Sequence, residues 1–271
     1  MRDPYRCSFI LFALVALSAC EAEPSPPPEP ASEPLAEPAE PPPPINSVAA
    51  LLADDEVVFG VFSGARSRAG GVATWNAQQA DFQLYSMETG PFDVATMQDE
   101  FVAGMVDAGG DTALDDFPIL VRPPAIHTVP DEIERMVSDA LGAGIAGIVF
   151  PHVTTADEAA RSVELVGGAG VNILIVEDQE GVGNVREIMA TSGLDVVFAG
   201  PGDLSTAYGG DMVAVENAIQ TVLDACLEFD VACGITAGVA DIERRLDEGF
   251  EVIIVTEPAA VDVGMEYVGR M

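Results

Sequence analysis

Eight short apolar runs, spaced through 225 residues and separated by amphipathic stretches, constrain this chain more than any other feature. They are V-V-F-G-V-F (57–62), D-F-Q-L-Y-S (81–86), P-I-L-V-R (118–122), A-G-I-V-F (146–150), N-I-L-I-V-E (172–177), D-V-V-F-A (195–199), V-A-C-G-I (231–235) and E-V-I-I-V-T (251–256). Continuous apolar runs of this length suit parallel strands buried on both faces. The stretches between them read as helices. D-E-I-E-R-M-V-S-D-A-L-G-A-G (131–144) has acids in its first turn and glycine at its end, and A-D-E-A-A-R-S-V-E-L-V-G-G (156–168) follows the same pattern. Eight such units predict an α/β fold, the (β/α)8 or TIM barrel. A doubly wound open sheet is the alternative. It would usually carry a glycine-rich phosphate turn after the first strand, and S-G-A-R-S-R-A-G-G lacks that spacing.

The first 46 residues have a different composition. Arg2 and Arg6 precede the apolar run Ser8 to Leu17, and Ser18-Ala19-Cys20 follows. That is the order of a secretory signal peptide, and the run is too short to span a bilayer comfortably. Leu-Ser-Ala-Cys resembles the bacterial lipoprotein signal, which implies cleavage after residue 19 and lipid on Cys20. Eleven of the next 24 residues (21–44) are proline and six are glutamate. Such a stretch forms no core and stays extended, reaching ~75 Å at ~3.1 Å per residue. The expected organisation is a signal peptide (1–19), a lipidated cysteine with a Pro/Glu-rich linker (20–46) and a barrel (47–271). The expected location is the bacterial cell envelope, on the periplasmic or outer-membrane face, with the membrane reached through the N-terminal lipid alone.

Charge removes several function classes. The chain has 45 acids against 11 bases, a net charge of −34, which argues against nucleic acid as a partner. All eleven bases are arginine. Without lysine there is no Schiff-base aldolase, no pyridoxal phosphate enzyme and no P-loop. A carbanion would have to be stabilised by a metal or another electrophile. Cys226 and Cys233 read as a helix and a strand position, two small buried side chains rather than a disulfide.

In a barrel, chemistry belongs to the loops after the strands. Glu177 closes the fifth run and Asp203 follows the sixth in G-P-G-D-L-S. Two acids on neighbouring strands can share one hard divalent cation through their oxygens. Taken alone they read better as two solvated side chains, with Asp203 merely capping a helix. Arg122 ends the third run, and metal plus guanidinium can hold a 2-oxo acid. His152 follows the fourth run on the same face; it reads either as a proton carrier or as a packing residue. His127, in P-P-A-I-H-T-V-P, reads as a surface loop histidine.

Four segments together resemble the HpcH/HpaI aldolase and citrate lyase family of metal-dependent 2-oxo-acid aldolases. They are V-R-P-P (121–124), G-I-V-F-P-H-V-T-T-A-D-E-A (147–159), V-E-D-Q-E-G-V-G-N-V-R-E-I (176–188) and F-A-G-P-G-D-L-S (198–205). The resemblance spans about residues 47–271 and implies a class II aldolase barrel of the phosphoenolpyruvate/pyruvate type, assembled as a trimer or hexamer. It implies a cation, Mg²⁺ or Mn²⁺, on Glu177 and Asp203. Arg122 would steady the enolate of a substrate such as pyruvate, and the Gly202 and Asp203 amides would face its carboxylate.

The departures are specific. The family's strand-two pattern Asp-x-Glu-His-Gly-Pro-x-Asp reads S-M-E-T-G-P-F-D here, so Ser86 and Thr89 replace the proton-transfer dyad. Neither can act as a base near neutral pH without one beside it. E-L-V-G-G-A-G-V-N (164–172) lacks the family's Tyr-Pro-Pro-x-Gly-x-Arg-Gly segment, and Ile175 stands where some members place a polar substrate contact. Two functions are therefore expected: a lipid-anchored carbon–carbon lyase in which His152 substitutes for the lost base, or a non-catalytic binder of metal and a 2-oxo acid descended from one. A coenzyme A thioester lyase is the weaker third, since a periplasmic site offers little coenzyme A.

Overall fold

The computed structural model describes residues 46–270. The lipidation expectation at Cys20 and the spacer up to residue 45 lie outside them. Among the described residues, no helix is long and apolar enough to cross a membrane.

Eight parallel strands close into a barrel in sequence order: β1 (Val58–Phe62), β2 (Phe82–Ser86), β3 (Ile119–Arg122), β4 (Gly147–Phe150), β5 (Val171–Val176), β6 (Val196–Ala199), β7 (Ala232–Ala237) and β8 (Val252–Val255). β8 pairs with β1, as in Val58↔Val252, so no strand edge is left open. Strand side chains alternate between two packed regions. One set fills the lumen, including Val58, Leu84, Leu120, Val149, Ile173, Phe198 and Ile254, with Val48 of the first helix among them. The other set, including Phe59, Tyr85, Val121, Phe150, Leu174 and Ile235, packs outward under the helices. β5 is buried at all six positions, which explains why its run carries no polar alternation.

The helices expected at 131–144 and 156–168 form as Ile133–Gly142 and Ala156–Val166. The second starts with a full capping box, Thr155 with Glu158, and ends at Gly167 in the left-handed region at φ 56°.

The cysteine expectation needs correction. Cys226 and Cys233 are joined by a disulfide, with Cα atoms 5.6 Å apart. The helix Met212–Phe229 ends at Asp230, which takes the left-handed conformation at φ 56°. That reversal turns the chain directly into β7 and brings the last helical turn against the strand start. Helix and strand positions were read properly; the tight reversal between them was not legible.

Candidate active site

The carboxyl ends of the strands surround a cavity of about 330 Å³ lined by Arg122, Glu177, Gly202, Asp203, Phe62 and Thr236 among others. A larger cavity, about 570 Å³, lies toward the strand starts and includes Asp55, Asp195, Asp230 and Glu251. Only the first end carries three metal-capable side chains close together among the described residues: Glu88, His152 and Glu177, with ligand atoms within 4.8 Å of one another.

Glu177 follows β5 directly and is 3% exposed. Its Oε1 accepts a hydrogen bond from the His152 backbone N–H at 2.9 Å. Burial raises its carboxyl to about 7; His152 opposes that rise and Asp203 adds to it. Gly200, at the end of β6, lets this carboxylate fit: a Cβ there would stand 2.6 Å from Glu177 Oε2. Asp203 sits in the first turn of helix Pro201–Ala207, where Pro201 starts the helix without needing a donor. The structure thus brings Glu177 and Asp203 to one cavity.

Arg122 ends β3 in register with Ser86 of β2. Its Nε donates to Ser86 Oγ at 2.9 Å, and its Nη2 lies 2.9 Å from Glu88 Oε2. The second Glu88 oxygen is 3.2 Å from His152 Nε2. Glu88 therefore joins Arg122 to His152, and sequence reasoning did not single it out. The signal was present: S-M-E-T-G-P-F-D follows β2 on the active face, and its glutamate matches the family pattern where its neighbours do not. The hydrogen bond to His152, then the Arg122 charge, hold the Glu88 carboxyl below the usual range although burial opposes them.

His152 is one of three non-glycine residues at positive φ among the described residues, at 53°. Such backbone costs about 1–3 kcal/mol and persists where the surroundings enforce it. Here the enforcement is visible: its backbone N–H is tied to Glu177 and its ring lies between Glu88 and Glu177, with Nδ1 3.3 Å from Glu177 Oε1. The Glu88 hydrogen bond, with the charges of Glu177, Glu88 and Asp203, raises the imidazole to about 9 although burial opposes the rise. In the metal-free protein this favours the imidazolium form. His127 sits at the surface as expected, its Nδ1 3.0 Å from Glu158. Thr89 is exposed, and the Ser86 hydroxyl already accepts from Arg122; neither has an acid–base partner.

The donor set suits a hard divalent cation. Two carboxylates converge, one of them buried and with its proton affinity raised, an arrangement that a cation relieves. Glu177 could hold it with Asp203, across the cavity, or with Glu88 and His152.

The model of the family described as HpcH/HpaI aldolase/citrate lyase matches residues 75–255. The chain belongs to this family. A hydroxypyruvate/pyruvate aldolase of Paraburkholderia phytofirmans is 27% identical over 246 residues, covering 77% of this chain and 90% of that protein. A 5-keto-4-deoxy-D-glucarate aldolase of Salmonella paratyphi C is 30% identical over 209 residues, 65% of this chain and 76% of that one. The crystal structure of an HpcH/HpaI aldolase/citrate lyase family protein from Burkholderia cenocepacia superposes with a TM-score of 0.64 at 25% identity, covering 83% of this chain and 98% of the other. Membership of the HpcH/HpaI family places the chain among lyases of the aldolase and citrate lyase type, and the closed barrel is the family's fold.

Proposed function

We propose that this protein is a metal-dependent carbon–carbon lyase acting on a 2-oxo acid such as pyruvate. The observation that carries this reading is the convergence of Glu177, Asp203 and Arg122 on one cavity at the barrel mouth. Glu177 and Asp203 would hold a divalent cation, Mg²⁺ or Mn²⁺, which would supply a Lewis acid for the keto group. Arg122 places its guanidinium where charge develops on the keto oxygen. The Gly202 and Asp203 N–H groups, in a first helical turn that has no intrahelical acceptor for them, receive the substrate carboxylate. His152 moves a proton at the reacting carbon, and Glu88 is the positioning residue that orients its ring. With the usual dyad replaced, oxaloacetate decarboxylation, which asks less of a base, is favoured over aldol cleavage.

The experiment is a rate measurement on Mn²⁺-loaded protein: loss of oxaloacetate, and exchange of pyruvate methyl protons in D₂O. Rates above those of Mn²⁺ in buffer, and lost in Asp203→Asn, support the lyase. Rates equal to buffer leave the second reading, a non-catalytic lipoprotein that binds metal and a 2-oxo acid. The exposed Thr89 and the engaged Ser86 hydroxyl favour that alternative.

The proposed setting is the cell envelope. Cys20 carries lipid, residues 20–46 act as a spacer, and residues 47–271 form the barrel domain. The Cys226–Cys233 disulfide supports export, since such bonds persist in oxidising compartments. A trimer or hexamer is the proposed assembly, and Met212 and Val213, exposed side by side, are surfaces that such contacts would cover.

A further inference from the structure

The barrel mouth is divided by charge. Alternation along the strands sets which side chains reach the lumen at its carboxyl end. From β2, β3 and the end of β5 these are Ser86, Arg122 and Glu177; from β7, β8 and β1 they are Thr236, Thr256 and Phe62. The second group is contiguous, because β7 pairs with β8 and β8 with β1. The charged side chains lining the cavity are Arg122, Glu177 and Asp203, and those from the β7–β8–β1 side are neutral. Phe62 remains 46% exposed there, an aromatic ring at the mouth.

We propose that the part of the substrate beyond its 2-oxo-acid head is uncharged and largely apolar, and lies against Phe62, Thr236 and Thr256. The inference rests on the reading above, in which the head sits at Glu177, Asp203 and Arg122. An anionic tail would find no cation among the residues that line the cavity on this side. Instead it would approach Glu257, whose carboxylate accepts from Val239 N at 2.8 Å and from the Thr256 hydroxyl at 3.0 Å. Arg66, in the loop after β1, does not line the cavity: its guanidinium donates to the Ser86 carbonyl and lies over the ring of Tyr85, which packs outward under the helices. A polyhydroxylated tail would meet only the Thr236 and Thr256 hydroxyls, the latter already donating to Glu257, and would leave its other hydroxyls against the Phe62 ring, at the cost of unmade hydrogen bonds.

Calorimetry on full-length, Mn²⁺-loaded protein tests this with three ligands: pyruvate, 4-methyl-2-oxopentanoate and 2-oxoglutarate. The expected result is binding of the branched apolar acid at least ~10-fold tighter than that of 2-oxoglutarate. Phe62→Arg should reverse that order. Pyruvate binding with equal or tighter binding of 2-oxoglutarate overturns the inference and leaves the head site standing. Failure of all three ligands to bind overturns both.

Discussion

Gly200 lies so close to Glu177 that a single added methyl group would stand 2.6 Å from the carboxylate Oε2 and 2.7 Å from the Glu177 Cβ. The backbone of β6 is thus part of the wall that fixes the buried acid. Gly200→Ala is expected to push the carboxylate out of place. Mn²⁺ affinity should fall by tenfold or more, while stability drops by about 1–3 kcal/mol, the usual range for overpacking. Titration calorimetry and urea denaturation measure the two effects. Unchanged Mn²⁺ affinity would show that Glu177 is not a ligand.

The Glu88–His152 pair gives a pH dependence with a definite sign. The folded-state imidazole titrates near 9, above its usual 6.5. Its contribution to stability is therefore complete below about pH 6.5 and disappears as pH rises through 9. In metal-free protein, Glu88→Gln should cost about 1–2 kcal/mol at pH 6, allowing for a ring 35% exposed. The gap from wild type should narrow between pH 7 and 9.5. Denaturation curves across that range, with NMR titration of His152, provide the check. A constant gap would mean that the pair is not ionic.

How much was legible follows from where the physics is local. All eight strands formed within one or two residues of their apolar runs, because burial on both faces of a parallel strand is written as continuous hydrophobicity. The placement of Glu177, Asp203 and Arg122 at the barrel mouth was legible because each stands where an apolar run gives way to solvent. Glu88 was not, because its importance lies in joining Arg122 on β3 to His152 after β4, a relation that exists only once the barrel closes. The charge of His152 was illegible for the same reason. The disulfide depended on the left-handed turn at Asp230.

Arg245 is a buried cation, its side chain 5% exposed, and it holds Glu216 through two hydrogen bonds of 2.7 Å. That fork, with smaller help from Gln220 and Arg244 and in spite of partial burial, brings the Glu216 carboxyl down to about 2. A depressed acid contributes stability above its unfolded value near 4.5 and loses it as pH falls toward 2. Glu216→Gln should destabilise the barrel at pH 7 by about 1–2 kcal/mol, less than a fully buried pair, because Glu248 still reaches Arg245 at 2.9 Å. At pH 2 mutant and wild type should converge. A difference that persists at pH 2 would assign the loss to packing instead.

The Cys226–Cys233 bond closes a short loop between helix Met212–Phe229 and β7. A loop of this size confers about 2–3 kcal/mol by restricting the unfolded chain. Peptide mapping without reductant should recover the two cysteines joined. Cys226→Ala/Cys233→Ala should lower the urea midpoint accordingly, and added reductant should then have no further effect on this loop. Free thiols at both positions in exported protein would contradict the structure.

The last prediction concerns the two positions where the family's dyad is replaced. Ser86 faces Arg122, its hydroxyl accepting from Nε at 2.9 Å, while Thr89 is exposed beyond it. Ser86→Asp alone should tighten on Arg122 and draw that guanidinium away from Glu88, lowering turnover. Ser86→Asp with Thr89→His gives the aspartate a second partner and supplies an imidazole that is not already locked between two carboxylates. The double variant should speed pyruvate proton exchange by ~10²-fold or more, the range a positioned base contributes. Wild type should stay faster at oxaloacetate decarboxylation than at aldol cleavage, because decarboxylation asks less of a base. If the double variant exchanges no faster than wild type, and both match Mn²⁺ in buffer, the missing element is not the base, and the binding-protein reading becomes the better account of Glu177, Asp203 and Arg122.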